Sequence, residues 1–265
     1  MQGLIKSGVI AALTQAPRRI GFHRKNCREW PNIFFLNHRS SYFGTQNHVV
    51  EKNLSLLQLL GISQFHYQFP IIIPEEAESY ANQFFQNHPE LEAKPLIAIN
   101  PGVGFKTKRW DLKRFAQLAD RVIEKLGCHI LLTWGPNEKD QIDTIAEAMT
   151  QPYWKAPPTT IFQSLAIYRR LKLFIGCDTG PLHLCASLGV PTVSIFGPTD
   201  PIRNGAYGPD HRVIFKKLSC SFCYKRSCPT QNECMDLVQI EEVFDAVKKS
   251  IYNSGKEIPS SASTE

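Results

Sequence analysis

The chain has 265 residues, 43% of them hydrophobic and 20% charged, with a formal net charge of +6 at pH 7. That length allows one large core or two modest ones, and the balance is that of a soluble globular protein. No apolar run reaches the roughly 18 residues of a membrane-spanning helix. Basic residues are scattered, with no helix-turn-helix or aromatic-basic strand, which disfavours nucleic acid as a partner. The positive balance favours anionic partners, although solubility alone would also account for it.

At the N-terminus, Leu4, Ile5, Val9, Ile10 and Leu13 recur at helical spacing. Lys6 interrupts the apolar stretch, so the segment reads as an amphipathic helix rather than a signal peptide. With no export signal, the eight cysteines are expected as thiols in a reducing, cytoplasmic setting. Arg18–Phe22 and Ile33–Leu36 are predicted as short strands. Asn47–Leu60 is predicted as one helix with Val50, Leu54, Leu57 and Leu60 on one side and Gly61 closing it. A further helix is expected around Ala77–Asn87.

From Lys94 the pattern becomes regular. Strands are predicted at 96–100, 129–134, 171–176 and 192–196. Between them lie helices at Leu112–Leu126, Glu138–Met149 and from Thr160 to Arg170, and one opening at Pro181. Asp111 and Gly127 bound the first of these, Thr160 and Gln163 form a capping box, and Gly189 ends the last as a left-handed residue. Strands alternating with helices predict a parallel α/β sheet with ligands at the loops after its strands. Beyond Pro209 the pattern loosens into a cysteine-rich loop, followed by a helix at Ile240–Ile251 and a polar, disordered tail.

Two loops carry the chemistry. In Asn100–Trp110, Gly102 and Gly104 would let the backbone approach a ligand, and Lys106, Lys108 and Arg109 supply positive charge before a helix. The glycine spacing is neither that of a P-loop nor that of a dinucleotide fingerprint, and a solvated lysine-rich turn is the bland alternative. In the second loop Asp178, Thr179 and Gly180 lead into a helix whose first turn holds Pro181 and His183. A helix start there offers free N–H groups to an anion. Asp178 alone would read as a cap and His183 alone as structural. On one sheet edge the two loops together read as a nucleotide-diphosphate site.

With the NPG…KRW loop, WGPNE, DTGPLHL and GVPTVSIFGPTDP in view, and QGLIKSG, RRIGF, CRE and HVVEKNLSLLQLLGI before them, the chain resembles the heptosyltransferases. These form family nine of the bacterial glycosyltransferases and build the lipopolysaccharide inner core. The resemblance implies an α/β, GT-B type enzyme: a partial N-terminal Rossmann-like domain over 1–74, a linker and helix over 75–93, a C-terminal nucleotide-sugar domain over 94–252 and a tail over 253–265. It implies inverting transfer of heptose from ADP-heptose without metal or other cofactor, to a phosphorylated lipopolysaccharide acceptor, with the membrane surface as a peripheral location. Carried onto this sequence, Lys108, Glu138, Asp178, Thr179, Gly180, Pro181 and His183 would bind the donor, and Lys6 and Arg28 the acceptor. In the family QGLIKSG follows the larger part of the N-terminal domain, which bears the aspartate base. Here it begins at Gln2, so the expectation is a member lacking that part. No catalytic residue is assigned, since Glu29 and Glu51 do not match the base and are weak candidates. A catalytically dead donor-binding remnant is the alternative. Cys220 and Cys223 have C-x-x-C spacing, but Cys228 and Cys234 follow at looser gaps, so these four are weak metal candidates.

Overall fold

The computed structural model describes residues 3–44, 47–65 and 67–253, so the predicted polar tail from 254 onward lies outside the described residues. The chain divides into two compact units, one of Met1–Gln68 with Ile202–Asn204, the other of Phe69–Pro201 with Gly205–Glu265.

In the smaller unit, helix α1 (Ile5–Leu13) starts where the Glu29 carboxylate accepts from the Ile5 N–H at 2.7 Å. Strand β1 (Ile20–Gly21) pairs in parallel with β2 (His38–Arg39). The strand expected at Ile33–Leu36 is instead a 3-10 run, Trp30–Phe35. Pro31 in its first turn presets φ, and buried Asn32 ties it to the Leu4 carbonyl at 2.5 Å. The single helix expected over Asn47–Leu60 is also corrected. It is helix α2 (Val49–Leu54) followed by a 3-10 run, Ser55–Leu60. The Ser55 hydroxyl donates back to the Lys52 carbonyl at 2.6 Å, a bond that competes with the helical ladder. At three residues per turn the apolar stripe rotates, leaving Leu56 buried and Leu60 exposed.

The larger unit opens with α3 (Glu75–Asn87), whose first turn carries Glu75, Glu76 and Glu78 against the positive end of the helix dipole. Its Ala77, Ala81, Phe84 and Phe85 belong to the core below, so residues set apart as a linker are integral to this unit. There follow β3 (Leu96–Asn100), α4 (Leu112–Leu126), β4 (His129–Leu132), α5 (Lys139–Ala148), β5 (Trp154–Lys155), α6 (Ile161–Tyr168), β6 (Leu173–Cys177), α7 (Gly180–Ser187) and β7 (Thr192–Phe196). Strand β8 (His211–Phe215), α9 (Glu233–Asp236) and α10 (Ile240–Asn253) complete it, while the short α8 (Pro201–Asn204) before β8 has its last three residues in the smaller unit. The caps read from sequence are present. The Asp111 side chain accepts from the Arg114 N–H, Thr160 and Gln163 form the reciprocal box, and Gly127 and Gly189 have φ of 63° and 75°.

Six strands form one parallel sheet in the order β5-β4-β3-β6-β7-β8. Every residue of β3, β6 and β7 is buried, as expected of strands covered on both faces. Alternate residues face two cores. Ile97, Ile99, Ile130, Leu132 and Ile175 pack with α4, α5 and α10, whereas Ala98, Leu131, Phe174 and Phe196 pack with α3, α6 and α7. The four predicted strands are found within about two residues at each end; β5 and β8 are additional. From β3 the chain moves outward to β4 and β5, then returns to lay β6 beside β3 and proceeds the other way. The strand order therefore reverses between β3 and β6, and the crevice beyond their carboxyl ends is where open α/β sheets receive ligands.

Candidate functional site

Both chemistry-bearing loops leave the sheet at that reversal. Asn100, the last residue of β3, is buried. Its side-chain amide donates to the Thr133 carbonyl at 3.1 Å and its oxygen accepts from the Gly102 N–H at 3.1 Å, which ties the loop after β3 to the end of β4. The loop ends at Trp110, fully buried with its indole N–H on the Val238 carbonyl.

Between these anchors, Lys108 Nζ lies 2.7 Å from Asp178 Oδ2. The side chains are 16% and 10% exposed, so this is a largely desolvated ion pair. The Thr199 hydroxyl donates to the same carboxylate oxygen at 2.7 Å. Lys108 Nζ also stands 4.7 Å above the centroid of the Phe105 ring. Three loops, those after β3, β6 and β7, thus converge on one carboxylate. Asp178 is not the cap of α7, since Thr179 holds that position and makes no side-chain capping bond. A Cβ at Gly180 would meet open space, Pro181 sits in the first turn, and His183 is exposed in that turn.

Glu138 precedes α5. Its Oε2 accepts from the Gly135 N–H at 2.8 Å, and its carboxylate fills the space a side chain at residue 102 would need. The expected role of Gly102 is corrected on this point: its bare Cα admits Glu138, while Gly104 faces open space. Of the three basic residues in the loop, Lys106 is exposed, Lys108 is paired with Asp178, and the Arg109 Nε is buried without a hydrogen-bond partner.

Lys6, Arg28, Glu29 and Glu51 lie exposed in the smaller unit. Sequence reading did not single out Asn100, Thr107 or Thr199 as site residues, although Asn100 and Thr199 fall inside the NPG and GPTDP stretches. Cys220, Cys223, Cys228 and Cys234 line one small cavity with Thr107, Gly197 and Pro198. Burial first, and then the neighbouring cysteines, push the Cys234 thiol up to about 11. Among the described residues, no three His, Cys, Asp or Glu side chains are grouped so as to hold a metal ion. Cys177 and Cys185 lie in the core, and desolvation raises the Cys177 thiol to about 12, a packing role rather than a reactive one. No helix among the described residues is long and apolar enough to cross a membrane.

A parallel α/β unit with loops converging at the strand-order reversal defines a doubly wound protein that receives its ligand in the crevice beyond the strands' carboxyl ends. Among solved structures, a glycosyl transferase of family 9 from Veillonella parvula matches with a TM-score of 0.76 at 23% identity, covering 94% of this chain and 71% of that one. ADP-heptose lipopolysaccharide heptosyltransferase II of Escherichia coli matches with a TM-score of 0.70 at 18% identity, covering 95% and 75%. At these identities the likeness is one of fold. Lipopolysaccharide heptosyltransferase 1 of Pseudomonas aeruginosa is 26% identical over 87% of this chain and 62% of its own length. Lipopolysaccharide heptosyltransferase 3 of Escherichia coli is 32% identical over 65% of this chain and 49% of its own. The match therefore spans about half to three-fifths of these relatives. The model of glycosyltransferase family 9 (heptosyltransferase) matches residues 1–233, and the chain belongs to that family.

Proposed function

We propose that this chain binds a nucleoside-diphosphate sugar, ADP-heptose, and takes part in transferring its heptose to the lipopolysaccharide inner core. The observation that carries this reading is the meeting of Lys108 with Asp178 beside the N-terminus of α7, at the strand-order reversal. Related solved structures of Escherichia coli heptosyltransferase WaaC are described with ADP and with ADP-2-deoxy-2-fluoro heptose. In this reading the acceptor hydroxyl attacks the anomeric carbon from the face opposite the diphosphate. The bond to the diphosphate breaks with its electron pair left on the phosphate oxygen, the hydroxyl proton passes to a base, and configuration inverts. Lys108 and the N–H groups of Gly180–Leu182 oppose the charge that grows on the leaving diphosphate, in the role that a metal fills elsewhere. Glu138 stands toward the nucleoside, and Thr179 and His183 complete the pocket wall. Lys6 and Arg28 offer charge to acceptor phosphates.

A second reading, donor binding without transfer by the chain alone, is favoured by Glu29. One of its carboxylate oxygens already accepts from the Ile5 N–H at the start of α1, a structural role for this weak base candidate. Calorimetry with ADP, ADP-heptose and UDP, followed by a transfer assay on heptose-less lipopolysaccharide, separates the two readings. Selective adenine-nucleotide binding with turnover supports the first and binding without turnover the second. Absence of ADP binding overturns both.

A further inference from the structure

The segment following β8 reaches back onto the lysine loop. The Thr107 hydroxyl donates to the Lys225 carbonyl at 2.6 Å, and the Tyr224 N–H donates to the Pro198 carbonyl at 3.0 Å. The segment is thus pinned to the loops after both β3 and β7. Phe222 and Tyr224 adopt φ of 64° and 52°, in the left-handed region that side-chain-bearing residues rarely enter. Non-glycine residues held there cost free energy and persist where surrounding contacts fix them, often at binding sites. The bend sets the Arg226 guanidinium carbon 5.9 Å from the centroid of the Phe105 ring, the same ring that supports Lys108 Nζ at 4.7 Å.

Charge at this place is unevenly committed. Lys108 is matched one-for-one by Asp178. A nucleoside diphosphate brings charge on two phosphates, more than a lysine already paired with a carboxylate offsets. Arg226 and Lys225 are exposed, and among the described residues neither makes an ion pair. A guanidinium presents a planar fork that grips phosphate oxygens in pairs, and an aromatic ring holds that plane in place.

Resting on the donor-site reading above, we propose that Arg226 is a second phosphate-binding residue of this site. It shares one nucleoside diphosphate with Lys108 beside Phe105, adding the charge that the paired lysine lacks, and so confers preference for a diphosphate over a monophosphate. Lys225 is the tether, held through its carbonyl by Thr107. Both cations lie against the Phe105 ring, at 4.7 and 5.9 Å from its centroid, so a ligand held by Lys108 there has the guanidinium as a neighbour.

The test is calorimetry of the full chain with ADP, AMP and adenosine, on wild type, Arg226→Ala, Arg226→Lys and, as a control, Lys249→Ala on α10. Arg226→Ala should weaken ADP about tenfold or more, change AMP less than threefold and leave adenosine unaltered. Arg226→Lys should recover only part of the ADP affinity, since an ammonium lacks the fork, and Lys249→Ala should behave as wild type. Circular dichroism of each variant checks that the fold is retained. ADP and AMP weakened equally, or neither weakened, overturns the role of Arg226 and leaves the donor site standing. Failure of the wild type to bind ADP overturns the site and this proposal together.

Discussion

The carboxylate of Glu138 occupies the volume that a side chain on residue 102 would need. Two loops that leave neighbouring strands thereby lock together without any covalent or ionic link. The Gly135 N–H fixes the carboxylate from the other side at 2.8 Å.

Gly102→Ala should therefore act on the site rather than on the fold. The added methyl meets the far end of a flexible side chain, which can swing away, so stability should fall by less than about 1 kcal/mol. Glu138 would leave Gly135, and donor affinity should drop roughly tenfold, about 1.4 kcal/mol. Paired thermal melts and ADP titrations check this. A large loss of melting temperature with unchanged affinity would reverse the assignment.

Among the described residues, Lys108→Met leaves the largely desolvated Asp178 carboxylate with Thr199 as its remaining side-chain partner. Breaking one side of such a pair costs about 3 kcal/mol, whereas replacing both sides is often near neutral. The double variant Lys108→Met/Asp178→Asn should thus be more stable than Lys108→Met alone in urea unfolding. Separately, Lys108→Ala should weaken ADP-heptose binding by roughly 1.5–3 kcal/mol. Equal stability of the single and double variants would mean that solvent reaches Asp178 freely.

The two loops that meet through Lys108 and Asp178 were legible in the sequence because their residue types are unusual together: glycines, three basic residues and then Asp-Thr-Gly-Pro ahead of an apolar helix. Strands β3, β4 and β6 were legible because each is a nearly continuous apolar run, and β7 through Val193, Ile195 and Phe196. β5 has two residues and β8 is half-buried throughout, so neither presents a fully apolar run or a clean alternation. In the smaller unit, Pro31 and Ser55 redirect local structure through φ and a back-bonded hydroxyl, effects to which hydrophobic periodicity is blind. Thr199 escaped notice because its role exists only through Asp178, which the fold brings to it.

The capping box of α6 offers a test of local structure alone. Thr160→Ala removes the acceptor of the Gln163 N–H. The expected cost is about 1 kcal/mol, or roughly 2–4 °C in melting temperature for a chain of this size. Adding Gln163→Ala should cost less than the first change, because the reciprocal bond is already weakened. Full additivity in a double-mutant cycle would deny the coupling.

His211 supplies the pH dependence. Burial, the largest influence, lowers its pKa, and the nearby charge of His183 acts in the same direction. Its Nδ1 lies 3.2 Å from the Thr192 hydroxyl. A lowered folded pKa means that the unfolded chain binds the proton first, so stability should fall as pH drops below about 6.5. His129 is shifted the same way, again by desolvation first, and adds to the slope. His211→Asn should flatten part of the stability difference between pH 7.5 and 5.5 in urea titrations, and His129→Asn the rest. A wild type equally stable at both values would remove histidine from the account.

Lys108 and Asp178 stand 70 residues apart in the chain. Nothing short of docking β6 beside β3 unites them, and β4 and β5 must emerge in the interval. During synthesis the lysine loop leaves the ribosome long before its carboxylate partner exists, and it waits solvated and unable to grip a diphosphate. On the proposed reading of the site, competence to bind nucleotide arrives in one step with closure of the central strand pair. If the proposed donor site is right, a nascent or partly unfolded chain cannot sequester a nucleotide sugar, and ligand captured there would report that the middle of the sheet is complete.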